Sequence, residues 1–136
     1  MTATKTLVIE RELAHAPEKV WRALTEGHLL KEWLLDNDFQ PVVGHRFRFR
    51  QAPMPKWDGV VDCEVLVVEP QKKISYTWNA LGLESVVVLT LSETSEGTLL
   101  RLEHSGFRPD QETAYVGAGY GWKKFLGNLD RVLDEL

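Results

Sequence analysis

The spacing of apolar residues along the chain changes twice, and each change marks a boundary between kinds of element. In TKTLVIEREL at 4–13, Leu7, Ile9 and Leu13 stand at alternate positions among charged neighbours, the two-residue period of a strand with one buried face. In APEKVWRALTEGHLLKEWL the period lengthens. Pro17 suits a first helical turn, where its missing N–H is no loss. Val20, Trp21 and Leu24 follow at helical spacing, Gly27 interrupts, and Leu29, Leu30 and Trp33 form a second short helix.

From Pro41 the period of two returns and holds through five segments, 44–51, 58–70, 72–78, 85–91 and 98–104, separated by turn residues such as SETSEG. GHRFRFRQ puts Phe47 and Phe49 on one side and Arg46, Arg48 and Arg50 on the other. In DGVVDCEVLVVEP, Val61, Cys63, Val65 and Val67 share a face, with Asp62 and Glu64 opposite beside Val60, Leu66 and Val68. KKISYTW sets Ile74, Tyr76 and Trp78 together. Five successive strands with short connections predict an antiparallel meander. From about Asp110 to Leu136 the helical period resumes: Tyr115, Trp122, Leu129 and Leu136 recur every seven residues, flanked by Ala118, Phe125, Leu126, Val132 and Leu133. An α+β fold satisfies both patterns, in which a curved six-stranded antiparallel sheet wraps a long C-terminal helix and two short helices join strands 1 and 2.

Composition narrows the class. The 136 residues suit one domain, 1–136, with one core. Hydrophobic residues at 43% and charged residues at 26% are usual for a globular chain, and the net charge of −4 comes from acids and bases interleaved along the sequence. A nucleic-acid partner would need a clustered basic face, which is missing. The apolar runs, VVVLTL among them, fall well short of a membrane span, and the N-terminal stretch lacks the pattern of a secretory signal. A lone cysteine, Cys63, fits a reducing compartment, so the expected location is cytoplasmic.

AYVGAGYGW at 114–122 raises the one motif question. Gly117, Gly119 and Gly121 are evenly spaced, whereas a dinucleotide fingerprint needs glycine at its first, third and sixth positions after a strand. No Lys-Ser/Thr pair follows the last glycine, so a phosphate loop is excluded. Three helical glycines cost about 1 kcal/mol each relative to alanine. Either close packing demands them, or the missing side chains leave volume for a ligand.

The order of elements resembles the helix-grip fold of the START-like (SRPBCC, birch-pollen-allergen-like) superfamily. VWRALTEGHLLKEWL, VVGHRFRFR, WDGVV, EVLVVEP, ISYTW, GTLLRLEHSGF and AYVGAGYGWKKFLGNLDRVL are similar to its bacterial branch related to the activator of heat-shock-protein-90 ATPase. The likeness covers nearly the whole chain. Where that branch commonly has Thr-Asp-Pro after the first helix, this chain has Thr25-Glu26-Gly27, a change at a turn. The resemblance implies an apolar cavity between the long helix and the sheet, in a superfamily that includes lipid carriers, hormone receptors, polyketide cyclases, antibiotic-binding proteins and chaperone regulators. Fold therefore leaves the role open.

Strand parity sends Phe47, Phe49, Cys63, Tyr76, Trp78, Leu89, Leu102 and His104 toward the helix, where they would meet Tyr115, Ala118, Gly119, Trp122 and Phe125. Trp57 and Phe107, near strand ends, are placed to close a mouth, and Trp33 completes the candidate ligand-contacting set. These aromatics either fill a core or, through indole and phenol donors, orient a guest. His104 shares the parity of Leu100 and Leu102, while Glu103 faces the other way and cannot orient it. Asp58 and Glu84, near strand starts, read as surface charge or as a carboxylate pair at the mouth. His15, His28, His45 and His104 lack ligand spacing, so no metal is expected, and no motif calls for a cofactor. Cys63 has no neighbouring base to activate it.

Three functions follow from these residues and from the resemblance. The first is a binding protein for an apolar or aromatic small molecule. The second is a polyketide cyclase-like or hydrolase-like enzyme with His104 and Tyr115 as acid–base groups. The third is an interaction module that contacts a chaperone or a second copy of the chain.

Overall fold

The computed structural model describes residues 4–136. Strand β1 (Lys5–Leu13) is followed by helices α1 (Pro17–Thr25) and α2 (Gly27–Trp33). Then come strands β2 (Asp36–Asn37), β3 (Arg46–Arg50), β4 (Val60–Glu69), β5 (Lys73–Ala80), β6 (Leu83–Thr94) and β7 (Gly97–Phe107). A single 3-10 turn, Pro109–Gln111, leads into the long helix α3 (Glu112–Glu135). All strands join one antiparallel sheet in the order β1-β7-β6-β5-β4-β3-β2.

The sheet thus has seven strands where the sequence pattern gave six. The additional one, β2, is two residues long and pairs Asp36 with Arg50 and Asn37 with Phe49. Its stabilisation comes from a side chain: Asn37 Nδ2 donates to Gly27 O at 3.1 Å and Leu35 O at 3.0 Å, while its Oδ1 accepts from Phe39 N at 3.0 Å. Two residues carry no period to detect.

A second difference lies in β4. The register shifts between Val65 and Val67, leaving Leu66 as the extra residue of a bulge. Parity therefore flips: Val68, opposite the fully buried Ile74, packs on the core in place of Val67. The faces assigned to Val67 and Val68 from alternation are accordingly reversed.

One face of the sheet is covered by α3, and α1 and α2 pack against that helix, where Asn128 Nδ2 donates to Trp33 O at 3.5 Å. Lys5 Nζ and Glu112 Oε2 at 2.6 Å, Arg11 Nη1 and Asp130 Oδ2 at 2.8 Å, and His15 Nε2 and Asp134 Oδ1 at 3.0 Å tie α3 to β1 and the residues just after it. Exposed pairs of this kind contribute little energy each, and their effect is to fix alignment. On the opposite face of the sheet Arg46 pairs with Glu64 and Arg48 with Asp62, so that side is charged and solvated.

Candidate functional site

Beside α3 lies a cavity of about 760 Å³. Its deep wall comes from the sheet: Val61 on β4, Trp78 and Ala80 on β5, Leu83 on β6 and His104 on β7. The helix contributes Thr113, Ala114, Gly117, Ala118, Gly121, Trp122 and Phe125. Leu35 lines a further side, and the rim is made by Gln51, Met54, Trp57, Leu81, Asp110 and Gln111. Most lining atoms are apolar, and the volume falls in the range of small-molecule sites.

The glycines divide by helical geometry. Gly117 and Gly121, four residues apart, fall on one face and line the cavity, while Gly119, roughly 200° round from Gly117, faces β1. A Cβ at Gly117 would meet no atom within 4 Å, and one at Gly121 would touch Phe125 at 3.8 Å. At Gly119 it would meet Leu7 Cδ1 at 4.0 Å. Close packing therefore demands none of the three: at Gly119 a Cβ would make an ordinary contact with Leu7, while Gly117 and Gly121 border open space.

The rim is built from two turns. Residues 51–59 fold back on themselves through a Met54–Trp57 bridge, and the Trp57 indole N–H donates to Val60 O at 3.0 Å. Gly59, at φ +82°, closes this loop; a Cβ there would stand 2.2 Å from Gln51 O. Across the opening, β5 and β6 are joined through Leu81 (φ 52°) and Gly82 (φ 79°), the positive pair of a tight hairpin turn. Leucine is disfavoured in that conformation, yet Leu81 is 70% exposed at the rim.

His104 is fully buried, and both of its nitrogens are engaged. Trp122 Nε1–H donates to His104 Nδ1 at 3.0 Å, and His104 Nε2 lies 2.8 Å from Ser85 Oγ. The Ser85 hydroxyl gives its single proton to Trp78 O, so its oxygen accepts from His104 Nε2–H. The imidazole is thereby fixed as the neutral Nε2–H tautomer in a chain running Trp122, His104, Ser85, Trp78. Burial lowers its pKa from 6.5 to about 4, since a charged ring would lose water and gain no counter-charge.

The structure distributes the sequence-derived candidates unevenly. Trp57, Trp78, His104, Ala118 and Trp122 line the cavity together. Phe47, Phe49 and Tyr76 form an edge-on aromatic cluster with Phe39, with Phe47 centroids 5.1 Å from Phe39 and 5.5 Å from Tyr76. Trp33 is buried by α1, its indole donating to Ala23 O at 2.8 Å. Leu89 and Leu102 are fully buried in the sheet face, and Phe107 is packed between His104 at 4.7 Å and Tyr115 at 5.4 Å. Tyr115 lies at the β1 side, its ring under Lys5 Nζ at 5.1 Å. Cys63 is buried, and burial with Asp62 nearby pushes its thiol pKa up, so it stays protonated. Burial likewise raises Tyr76, whose hydroxyl has no partner. Asp58 Oδ1 accepts from Val60 N at 3.1 Å, and Glu84 stands opposite Asn79 in the β5–β6 register.

Phe39, Ser85, Gly117, Gly121 and the rim residues other than Trp57 were not among those candidates. Only the glycines carried a usable signal, because 100° per residue already separates 117 and 121 from 119. Among the described residues no group of three His, Cys, Asp or Glu could hold a metal, and no helix is long and apolar enough to cross a membrane.

The family described as Activator of Hsp90 ATPase homolog 1-like protein matches residues 14–134. A crystallised protein of Mesorhizobium loti is 53% identical, with a TM-score of 0.89 over 96% of this chain and 98% of that one. CalU16 of Micromonospora echinospora is 26% identical, with a TM-score of 0.81 over 96% of this chain and 76% of its own. DynU16, a protein in the dynemicin biosynthetic locus, is 28% identical with a TM-score of 0.78; 95% of this chain matches 47% of it, so this chain spans about half its length. No curated protein matches the chain.

Proposed function

The chain belongs to the Activator of Hsp90 ATPase homolog 1-like family, and on that premise we propose that it is a binding protein whose small-molecule guest sits between the sheet and the N-terminal half of α3. The observation that carries this reading is the cavity of about 760 Å³ walled by Trp78, Trp122 and Phe125, on the side where α3 has no side chain at Gly117 and Gly121. Burying apolar surface there would supply affinity at roughly 25 cal/mol per Å² before ordering costs. The tryptophan and phenylalanine side chains of the wall support an apolar or aromatic guest.

The enzymatic alternative has less support. A general base needs a free lone pair, and the one on His104 accepts the Trp122 N–H. Tyr115 does not line the cavity. The interaction-module alternative has the family description as its support.

Intrinsic fluorescence tests the binding reading, because Trp78 and Trp122 form the wall. Titration with a panel of uncharged aromatic and polycyclic compounds is expected to quench emission saturably and to raise the Tm. A panel that yields neither quenching nor a thermal shift overturns it.

A further inference from the structure

Resting on the cavity reading, we propose that the guest is an uncharged, planar molecule bearing a hydrogen-bond acceptor, and that Trp78 Nε1–H is the donor that selects it. Of the five tryptophans, Trp33, Trp57 and Trp122 commit their indole N–H groups to Ala23 O, Val60 O and His104 Nδ1, and Trp21 does not line the cavity. Trp78 Nε1–H has no acceptor among the described residues, although the ring is half-buried and lines the cavity. The buried side-chain atoms left without a partner are Tyr76 Oη and Thr94 Oγ1 among the described residues, so solvent reaches the Trp78 N–H in the free protein, and a guest that covers it without offering an acceptor strands it.

The other polar atoms of the deep wall are spoken for. His104 uses both nitrogens, and the Ser85 hydroxyl proton goes to the Trp78 carbonyl. A guest that carried a donor into this wall would leave it unpaired, whereas an acceptor opposite Trp78 completes the account.

Charge and shape narrow the class further. No lysine or arginine lines the cavity, so a carboxylate or phosphate would be buried without a counter-ion. The one acid, Asp110, stands at the rim within 3.2 Å of Arg108 Nε. Trp78 on the sheet and Trp122 on α3 lie 5.3 Å apart at 53°, and Gly117 and Gly121 leave bare helix backbone beside Trp122. The Trp78 ring on the sheet wall and a stretch of helix without side chains on the α3 wall suit a flat guest.

Fluorenone and fluorene differ by C=O against CH2 and test the donor directly. Wild-type protein is expected to bind fluorenone about tenfold more tightly, the equivalent of one net hydrogen bond, and Trp78→Phe is expected to reduce that preference to about twofold or less. Fluorene-9-carboxylate should bind more weakly than fluorenone. Equal wild-type affinity for ketone and hydrocarbon, a preference that survives in Trp78→Phe, or a carboxylate that binds as well as the ketone overturns the proposal while leaving the cavity reading intact. Binding of none of the three removes both. Should Trp78→Phe not fold, the wild-type indole 15N–1H resonances decide: fluorenone and not fluorene should move the Trp78 N–H signal downfield, and identical shifts with both count against the assignment.

Discussion

The two halves of α3 differ in almost every physical respect. From Trp122 onward the helix buries Leu126, Leu129, Val132 and Leu133 completely or nearly so against the sheet, α1 and α2. From Glu112 to Gly121 it buries no side chain, carries three glycines, and leaves Val116 and Tyr120 exposed. One half repays its ordering entropy through apolar contacts; the other is held by the Lys5–Glu112 pair, by the Lys5–Tyr115 contact and by continuity with its partner half. Stability and binding capacity are thus separated along a single helix, and the half with fewest buried contacts is the one that borders empty space.

The largest effect that sharpens this contrast lies in the packed half. Leu129→Ala removes a fully buried side chain and should destabilise the protein by roughly 2–5 kcal/mol. Denaturant unfolding measures it, and the binding of whatever guest the folded fraction takes should be unchanged.

The next effect is set by pH and belongs to the wall between the halves. His104 binds its proton near 6.5 when unfolded and near 4 when folded. As pH falls through that window the unfolded state takes up the proton first, so stability declines from pH 6.5 and the loss is complete below about 4, amounting to about 3 kcal/mol. In His104→Gln the amide can accept from Trp122 and donate to Ser85 without titrating. The wild type minus variant difference in unfolding free energy, followed from pH 7 to 4, should carry this slope.

The smallest effect probes the open half. Gly117→Ala adds a methyl group where no atom lies within 4 Å and should stabilise the helix by about 1 kcal/mol. Gly127→Ala, where a Cβ also meets nothing but which does not line the cavity, should stabilise by a similar amount. The two variants should be matched in Tm and differ in affinity for a guest, which thermal melts and fluorescence titration together would show.

Much of the packed region was legible in the sequence because alternation and helical period are properties of apolar faces. The inward parity of His104 followed from Leu100 and Leu102, and the stripe through Trp122 and Leu129 marked the buried face of α3. What escaped was set by single residues or by distant ones. The Leu66 bulge reversed Val67 and Val68, which a period of two cannot foresee. The Ser85–His104–Trp122 chain joins residues 18 and 19 positions apart, and a register had to exist before it could be seen. Phe47, Phe49 and Tyr76 shared the parity of Trp78 but sit in a solid aromatic cluster, since parity gives a face and says nothing of position along it.

The most direct test of the contrast within α3 is a titration of the uncharged planar fluorophore 9-cyanoanthracene, which carries an acceptor and no donor, into wild type, Gly117→Leu and Gly127→Leu. Saturable binding to wild type and to Gly127→Leu, with affinity reduced about tenfold or more in Gly117→Leu, is the expected pattern. Unaltered affinity in a well-folded Gly117→Leu, or no binding to the wild type, would contradict it.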